Sequence, residues 1–363
     1  MNKIVRVGKQ VWRGLPYLRK ELARPISLQT GWVLATPLSY YVIFSGRCNF
    51  ECAFCTIHKE KDPTLTEEAM LRVVKEATAL SGSGFNISVS GGEPLIYKPI
   101  YPALELAHRL GVNLGLTTNG YSLTKPNVRR ILQFDPFNIN VSLESVDPKI
   151  NESVRLKLNG TQRALEGIEN VVEEKRRVGS RVSVVVKPTI MEQTYRTLPQ
   201  LVRYFKRYPE VQINFQPFSG LLNDPFWIRD VDDFAQVAHE LSALKRQGHA
   251  IIGDDHTMEG FVDYFRKPIV SDRQKFLDLK GAKRGCDIGY RSLFVFPNGD
   301  VHFCDWLKRP IGNLYKQSLS EIYYGEAAQA LRRRIDYCTI DCQSSCQRAV
   351  PLFTKAKAFL RMG

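Results

Sequence analysis

The sequence predicts an α/β protein, a parallel sheet built from β-then-α units, followed by a smaller α+β unit near the C-terminus. Three observations carry this reading. From residue 40 to residue 247, strand-like and helix-like segments alternate through six units, the pattern of parallel strands joined by right-handed crossovers. Apolar residues in the helical segments, such as Val73, Val74, Ala77 and Leu80, recur at the spacing of helices packed on one side of a sheet. After Gly285 the alternation stops, and a hairpin pattern flanked by cysteines replaces it.

In order, the chain divides into a basic segment 1–37, an α/β domain 38–250, a linker 251–284, a cysteine-bearing unit 285–350 and a basic tail 351–363. The first segment sets Val7, Val11, Trp12, Leu15 and Leu18 among basic residues, the pattern of an amphipathic helix kinked or interrupted near Pro16. Such a helix fits two placements, on an anionic membrane surface or against the domain as an N-terminal cap with Trp12 buried. Strands are expected at 40–44, 86–90, 112–117, 138–143, 181–187 and 211–216. Helices are expected at 66–80, 99–110, 125–132, 161–178, 194–208 and 231–247. The stretch 220–285 is rich in Asp and aromatic residues and reads as a linker with one or two helices. Residues 293–296 and 301–303, around the turn Pro297-Asn298-Gly299-Asp300, form the predicted hairpin.

A chain of 363 residues with 44% hydrophobic and 24% charged residues has ordinary globular composition. The first thirty residues lack the apolar core of a secretory signal, and the longest uncharged run is too short to span a bilayer. Eight cysteines in such a chain favour metal ligation over disulfides and a reducing, cytoplasmic compartment. The net charge of +14 points to an anionic partner. Residues 1–30 carry seven basic side chains against the single acid Glu21, and a second basic group runs from Arg332 to Arg361. No RNA-binding module or aromatic stacking platform is legible, so no specific nucleic acid is expected.

The chemistry concentrates on Arg47-Cys48-Asn49-Phe50-Glu51-Cys52-Ala53-Phe54-Cys55, at the end of the first strand. Three thiolates in C-x3-C-x2-C spacing can hold three irons of a [4Fe–4S] cluster and leave the fourth open for chemistry. A zinc knuckle would lack its fourth ligand here. About forty residues on, Ser90-Gly91-Gly92-Glu93-Pro94 follows the second strand, joining two glycines to a strand-end carboxylate. Thr117, Thr118, Asn119, Ser142 and Glu144 stand at later strand ends.

The cysteine loop, with Phe54 before its third cysteine, resembles the radical S-adenosylmethionine (SAM) superfamily. That resemblance implies a partial (β/α)6 barrel with its site at the carboxyl ends of the strands. It implies a cluster held by Cys48, Cys52 and Cys55, with SAM bound by Gly91, Gly92 and Glu93 at its amino group and by Arg155 near its carboxylate. Phe54, Thr118, Asn119 and Ser142 complete the expected cofactor site. Many relatives carry Ser-Leu-Asp-Gly where this chain has Ser142-Leu143-Glu144-Ser145, which leaves the role of Glu144 open.

Cys286, Cys304, Cys338, Cys342 and Cys346, with Ile311-Gly312-Asn313-Leu314, resemble the auxiliary-cluster domains called SPASM and Twitch. Five cysteines suffice for one fully ligated auxiliary [4Fe–4S] cluster, and a zinc ribbon is the alternative. The expected activity is reductive SAM cleavage to a 5′-deoxyadenosyl radical that abstracts a substrate hydrogen. The auxiliary cluster would then support oxidation, cross-linking or other C–H functionalisation of an anionic, phosphorylated or lipid substrate. A reductant such as flavodoxin or ferredoxin is implied. A radical epimerase with a cysteine hydrogen donor and a non-catalytic iron–sulfur electron carrier are the alternatives.

Overall fold

The computed structural model describes residues 3–59, 63–219, 224–254, 256–266, 286–305, 307 and 309–335, with backbone alone for 3–14. It begins with α1 (Lys3–Thr30), β1 (Ser39–Ile43), α2 (Glu67–Ser81), β2 (Asn86–Ser90), α3 (Ile100–Leu110), β3 (Asn113–Thr118), α4 (Lys125–Leu132) and β4 (Asn138–Val141). Next come α5 (Pro148–Arg155), α6 (Gly160–Val178), β5 (Ser183–Val186), β6 (Thr189–Ile190), α7 (Leu198–Tyr204), β7 (Val211–Ile213) and β8 (Gln216–Pro217). The remainder is α8 (Val231–Arg246), α9 (Thr257–Arg266), α10 (Ile288–Arg291), β9 (Ser292–Val295), β10 (Asp300–His302), β11 (Gly312–Asn313), α11 (Leu319–Tyr324) and α12 (Glu326–Ile335).

One nine-stranded sheet runs β11-β10-β9-β1-β2-β3-β4-β5-β7. Every pairing from β9 through β7 is parallel, and only β10 and β11 add antiparallel. The hairpin expected after residue 292 is present, and its first strand continues the main sheet by pairing with β1, Tyr40 opposite Leu293.

Strand alternation explains how the sheet serves both core and site. Tyr40, Val42, Ile87, Val89, Leu114, Leu116, Ile139 and Val141 are buried in one apolar cluster with Met70, Val73 and Val74 of α2 and Ile168 and Val171 of α6. The alternate positions are small or polar. Tyr41 is registered with Ser88, Ser88 with Gly115, and Thr117 with Asn140, whose Nδ2 donates to Thr117 Oγ1 at 3.2 Å. A sheet face lined this way leaves room and hydrogen-bonding groups for a ligand.

Several boundaries differ from the sequence expectations. α1 runs unbroken through Pro16 and Pro25, so the expected interruption is absent. Each proline removes one helical N–H bond, and the buried polar contacts of the same helix offset that loss. The expected strand 211–216 stops at Ile213, and Gln216–Pro217 pairs instead with β6 in a separate two-stranded sheet. Only 198–204 of the expected helix 194–208 is α-helical, flanked by 3-10 turns. α5 has too few apolar residues to show a helical period, but Asp147 accepting from Lys149 N–H, with Pro148 at the first position, is a legible start signal.

Candidate active site

The cysteine loop is fastened on two sides by backbone. Gly92 N–H donates to Ser45 O at 2.7 Å and Glu93 N–H to Arg47 O at 3.0 Å, tying the end of β2 to the loop. On the far side Ala53 N–H donates to Val154 O of α5 at 2.8 Å. This docking explains the two glycines. A Cβ on Gly92 would stand 1.7 Å from Arg47 O, and Gly91 has φ +118° with Ser45 O 2.9 Å from its Cβ position. The sequence suggested glycines for ligand approach; the atoms approaching them here belong to the cysteine loop.

Glu93 is buried behind that contact. Its Oε1 accepts from Leu95 N–H at 3.0 Å and Thr118 Oγ1 at 2.6 Å, and its Oε2 accepts from Asn119 N–H at 2.7 Å. Burial pushes its carboxyl upward, opposed by these donors and by the positive charge of Arg155. A carboxylate offers about four acceptor positions, so one remains for a cation. Asn119 reaches the cysteine loop directly, donating to Asn49 Oδ1 at 2.7 Å with Cys48 Sγ at 3.9 Å.

On the α5 side, Arg155 Nη1 lies 4.0 Å from Cys52 Sγ and Nη2 is 2.7 Å from Glu144 Oε1. Glu144 is fully buried and its other oxygen accepts from Thr189 N–H at 3.1 Å. Asn151 locks the turn by accepting from Glu144 N–H at 2.9 Å and donating to Thr161 Oγ1 at 2.9 Å. Glu144 thus has a structural partner that sequence reasoning did not find; its pairing spans eleven residues and is visible only once α5 folds back. Arg155 Nε is buried with no hydrogen-bond partner among the described residues. Burial pushes the Cys52 thiol up to about 11, with Arg155 acting against it, and raises the Cys48 thiol as well.

Phe54 packs edge-on to Phe226 at 6.1 Å, with the Arg155 guanidinium 5.9 Å from its ring. Ser142 sits just past β4, its N–H donating to Thr118 O at 2.9 Å. The structure therefore gathers Cys48, Cys52, Cys55, Phe54, Gly91, Gly92, Glu93, Thr118, Asn119, Ser142 and Arg155 at the carboxyl ends of β1 to β4 and on the adjoining α5. Cys286 precedes α10 and Cys304 follows β10, flanking the hairpin that extends the sheet past β1. Cys338, Cys342 and Cys346 lie outside the described residues.

The donor set suits an iron–sulfur cluster and an amino-acid-like ligand on three counts. Three thiols share one loop, a buried carboxylate keeps an acceptor position, and a buried guanidinium N–H of Arg155 has no partner among the described residues. The profile of the radical SAM superfamily matches residues 42–214, and that of the iron–sulfur cluster-binding SPASM domain matches 286–347. The chain carries a radical SAM domain. Its SPASM domain lies C-terminal to the radical SAM domain, and the two imply a [4Fe–4S] cluster, SAM and an auxiliary cluster.

Among curated proteins, GTP 3′,8-cyclase of Staphylococcus epidermidis is 28% identical over 195 residues, covering 50% of this chain and 54% of the cyclase. A probable GTP 3′,8-cyclase of Thermococcus kodakarensis is 31% identical over 140 residues, covering 36% of this chain and 43% of its own length. The chain thus spans about half the length of the curated relatives it matches, or less. Among solved structures, SuiB of Streptococcus suis bound to precursor peptide SuiA aligns with TM-score 0.63 at 18% identity, over 86% of this chain and 70% of SuiB. The anSMEcpe structure with bound AdoMet aligns with TM-score 0.61 at 16% identity, over 90% of this chain and 96% of that one. These likenesses support the fold, an α/β radical SAM domain with a mostly parallel sheet and a C-terminal SPASM-like unit.

Proposed function

We propose that this enzyme abstracts a hydrogen atom from an unactivated C–H bond of a phosphorylated, anionic small molecule, with the auxiliary cluster supporting the oxidation that follows. When bound, the cluster and SAM together supply the 5′-deoxyadenosyl radical for that abstraction. The observation that carries the reading is the convergence of Glu93, Asn119 and the Glu144-paired Arg155 on one three-thiol loop.

Each residue has a definite task. Cys48, Cys52 and Cys55 would hold three irons, and the positive charge of the metal would offset the raised basicity of the Cys48 and Cys52 thiols. Glu93, already oriented by three donors, presents its remaining acceptor to an ammonium. Arg155, held by Glu144, offers its unused Nε–H to a carboxylate. The polar sheet face around Ser88, Thr117 and Asn140 orients substrate. A low-potential protein donor, flavodoxin or ferredoxin in class, supplies the electron.

Two facts support an anionic substrate: the net charge of +14, and the curated relatives, which are named for a triphosphate nucleotide. The test is anaerobic reconstitution with SAM and a chemical reductant. The unmodified chain should hold about eight irons, two [4Fe–4S] clusters, and form 5′-deoxyadenosine. With Cys48, Cys52 and Cys55 all replaced by Ala, about four irons should remain and the product should vanish. Cleavage persisting in the triple variant overturns the site, and absence of cleavage in the intact, cluster-loaded chain favours the electron-carrier reading. Exchange of solvent deuterium into a stereoinverted product would favour epimerisation.

A further inference from the structure

Over residues 15–30, where its side chains are described, α1 is folded inside out. On its inward face Lys20, Glu21, Arg24 and Ser27 are all buried. Lys20 Nζ donates to Ser81 O at 2.7 Å, and Arg24 pairs with Glu21 at 2.8 Å and with Asp287 at 2.5 Å. Ser27 Oγ donates to Ala23 O at 3.0 Å and accepts from Leu34 and Ala35 N–H at 3.1 and 3.2 Å. The outward face carries Leu15, Leu18, Leu22 and Ile26, exposed by 40 to 54%. Their steps of three and four residues make one continuous stripe along the helix. Trp32, 69% exposed, and Leu34, 52% exposed, follow directly after it. A polar face claimed by the protein body, with an apolar face turned out, reverses the usual surface helix. Six large apolar side chains on one short segment mark an interaction surface.

We propose that this stripe seats the enzyme on an anionic lipid bilayer, with the body of the protein resting on the helix's polar side. Charge selects the occupant. Residues 1–30 carry seven basic side chains and one acid; Lys20 and Arg24 are spent on the inward face, leaving Lys3, Arg6, Lys9, Arg13 and Arg19, and the one acid, Glu21, is buried against Arg24. Two copies pairing through this stripe would bring like charges together, with no exposed acid in the segment to flank the seam. An anionic bilayer supplies both the apolar interior and the opposite charge. Exposed Arg19 borders the stripe at an open groove of about 630 Å³ lined also by Leu15, Lys20 and Leu34. Trp32 is an amphipathic ring suited to the depth of the headgroups. No described helix is long and apolar enough to cross a membrane, so the contact is peripheral.

The experiment is sedimentation of the full, cluster-loaded chain with phosphatidylglycerol–phosphatidylcholine vesicles and with phosphatidylcholine vesicles, at low and moderate salt. The expected result is binding to the anionic vesicles at low salt, weakened by salt. Leu18→Gln with Leu22→Gln, both exposed and so compatible with folding, should weaken binding about tenfold or more while leaving SAM cleavage unchanged. A vesicle-induced blue shift in tryptophan fluorescence should be reduced in Trp32→Phe. Absence of binding to anionic vesicles at low salt overturns the proposal, as does equal binding by the double variant or equal binding to neutral vesicles. A soluble dimer seen by light scattering, and dissolved by the double variant, also overturns it by showing that a second copy covers the stripe.

Discussion

Arg155 Nη1 stands 4.0 Å from the sulfur of Cys52. The guanidinium is buried, and Glu144 is the acid paired with it among the described residues. Replacing Glu144 with Ala therefore strands a buried positive charge beside the cysteine loop. The expected loss is about 3–5 kcal/mol of stability, read by denaturant unfolding of the cluster-loaded protein. Glu144→Asp should recover part of it. A loss below about 1 kcal/mol would mean that water or another group already serves Arg155.

Glu93→Gln keeps the shape of the carboxylate but removes its charge. SAM affinity should fall by about 1.5–3 kcal/mol, roughly ten- to a hundredfold, while the electronic spectrum of the cluster is retained. Equilibrium binding of SAM to the reconstituted variant reads this out. Unchanged affinity would remove Glu93 from the cofactor site.

Gly92→Ala tests the docking of β2 on the cysteine loop. Its Cβ would overlap Arg47 O, a backbone atom that cannot swing aside. Iron incorporation on reconstitution should drop at the Cys48 site while the auxiliary cluster survives, leaving about four irons. Full iron content would show that the loop shifts without consequence.

Away from the site, Glu174 on α6 sits between Arg129 and Arg177 at 2.8 and 2.5 Å. Hydrogen bonds from Arg129 first, then Arg177, lower its carboxyl from 4.5 to about 2. A depressed carboxyl contributes stability above the unfolded value near 4.5 and loses it as pH falls toward 2. The gap in melting temperature between the unmodified chain and Glu174→Gln should be full at neutral pH, narrow below pH 4.5 and close near pH 2. A gap independent of pH would sink this account.

Most strands and helices of the parallel sheet were legible because their signals are local. A strand such as Asn86–Ser90 is recognised from its own alternation, and α4 from its own apolar period. Shorter elements escaped for the same reason. β6 and β8, two residues each, exist only because they pair with each other. The candidate site was legible residue by residue, since cysteine spacing and a glycine-glycine-glutamate turn are sequence objects. The partners of those residues were not.

By itself, then, the sequence determined the α/β class, the three-cysteine loop, the cysteine-flanked hairpin and the basic excess of the chain. Tertiary structure alone decided where that charge went. Arg332 looks like part of a basic surface, yet it is buried among Tyr290, Phe303 and Tyr323 and donates to Gly289 O and Tyr323 O. Lys20 and Arg24 likewise turn inward, because Ser81 O and Asp287 wait on segments distant in the chain, and Leu18 and Leu22 turn outward in consequence. Periodicity shows that a helix has two faces. Which face is buried depends on the groups opposite it, and the fold brings those groups from elsewhere in the sequence.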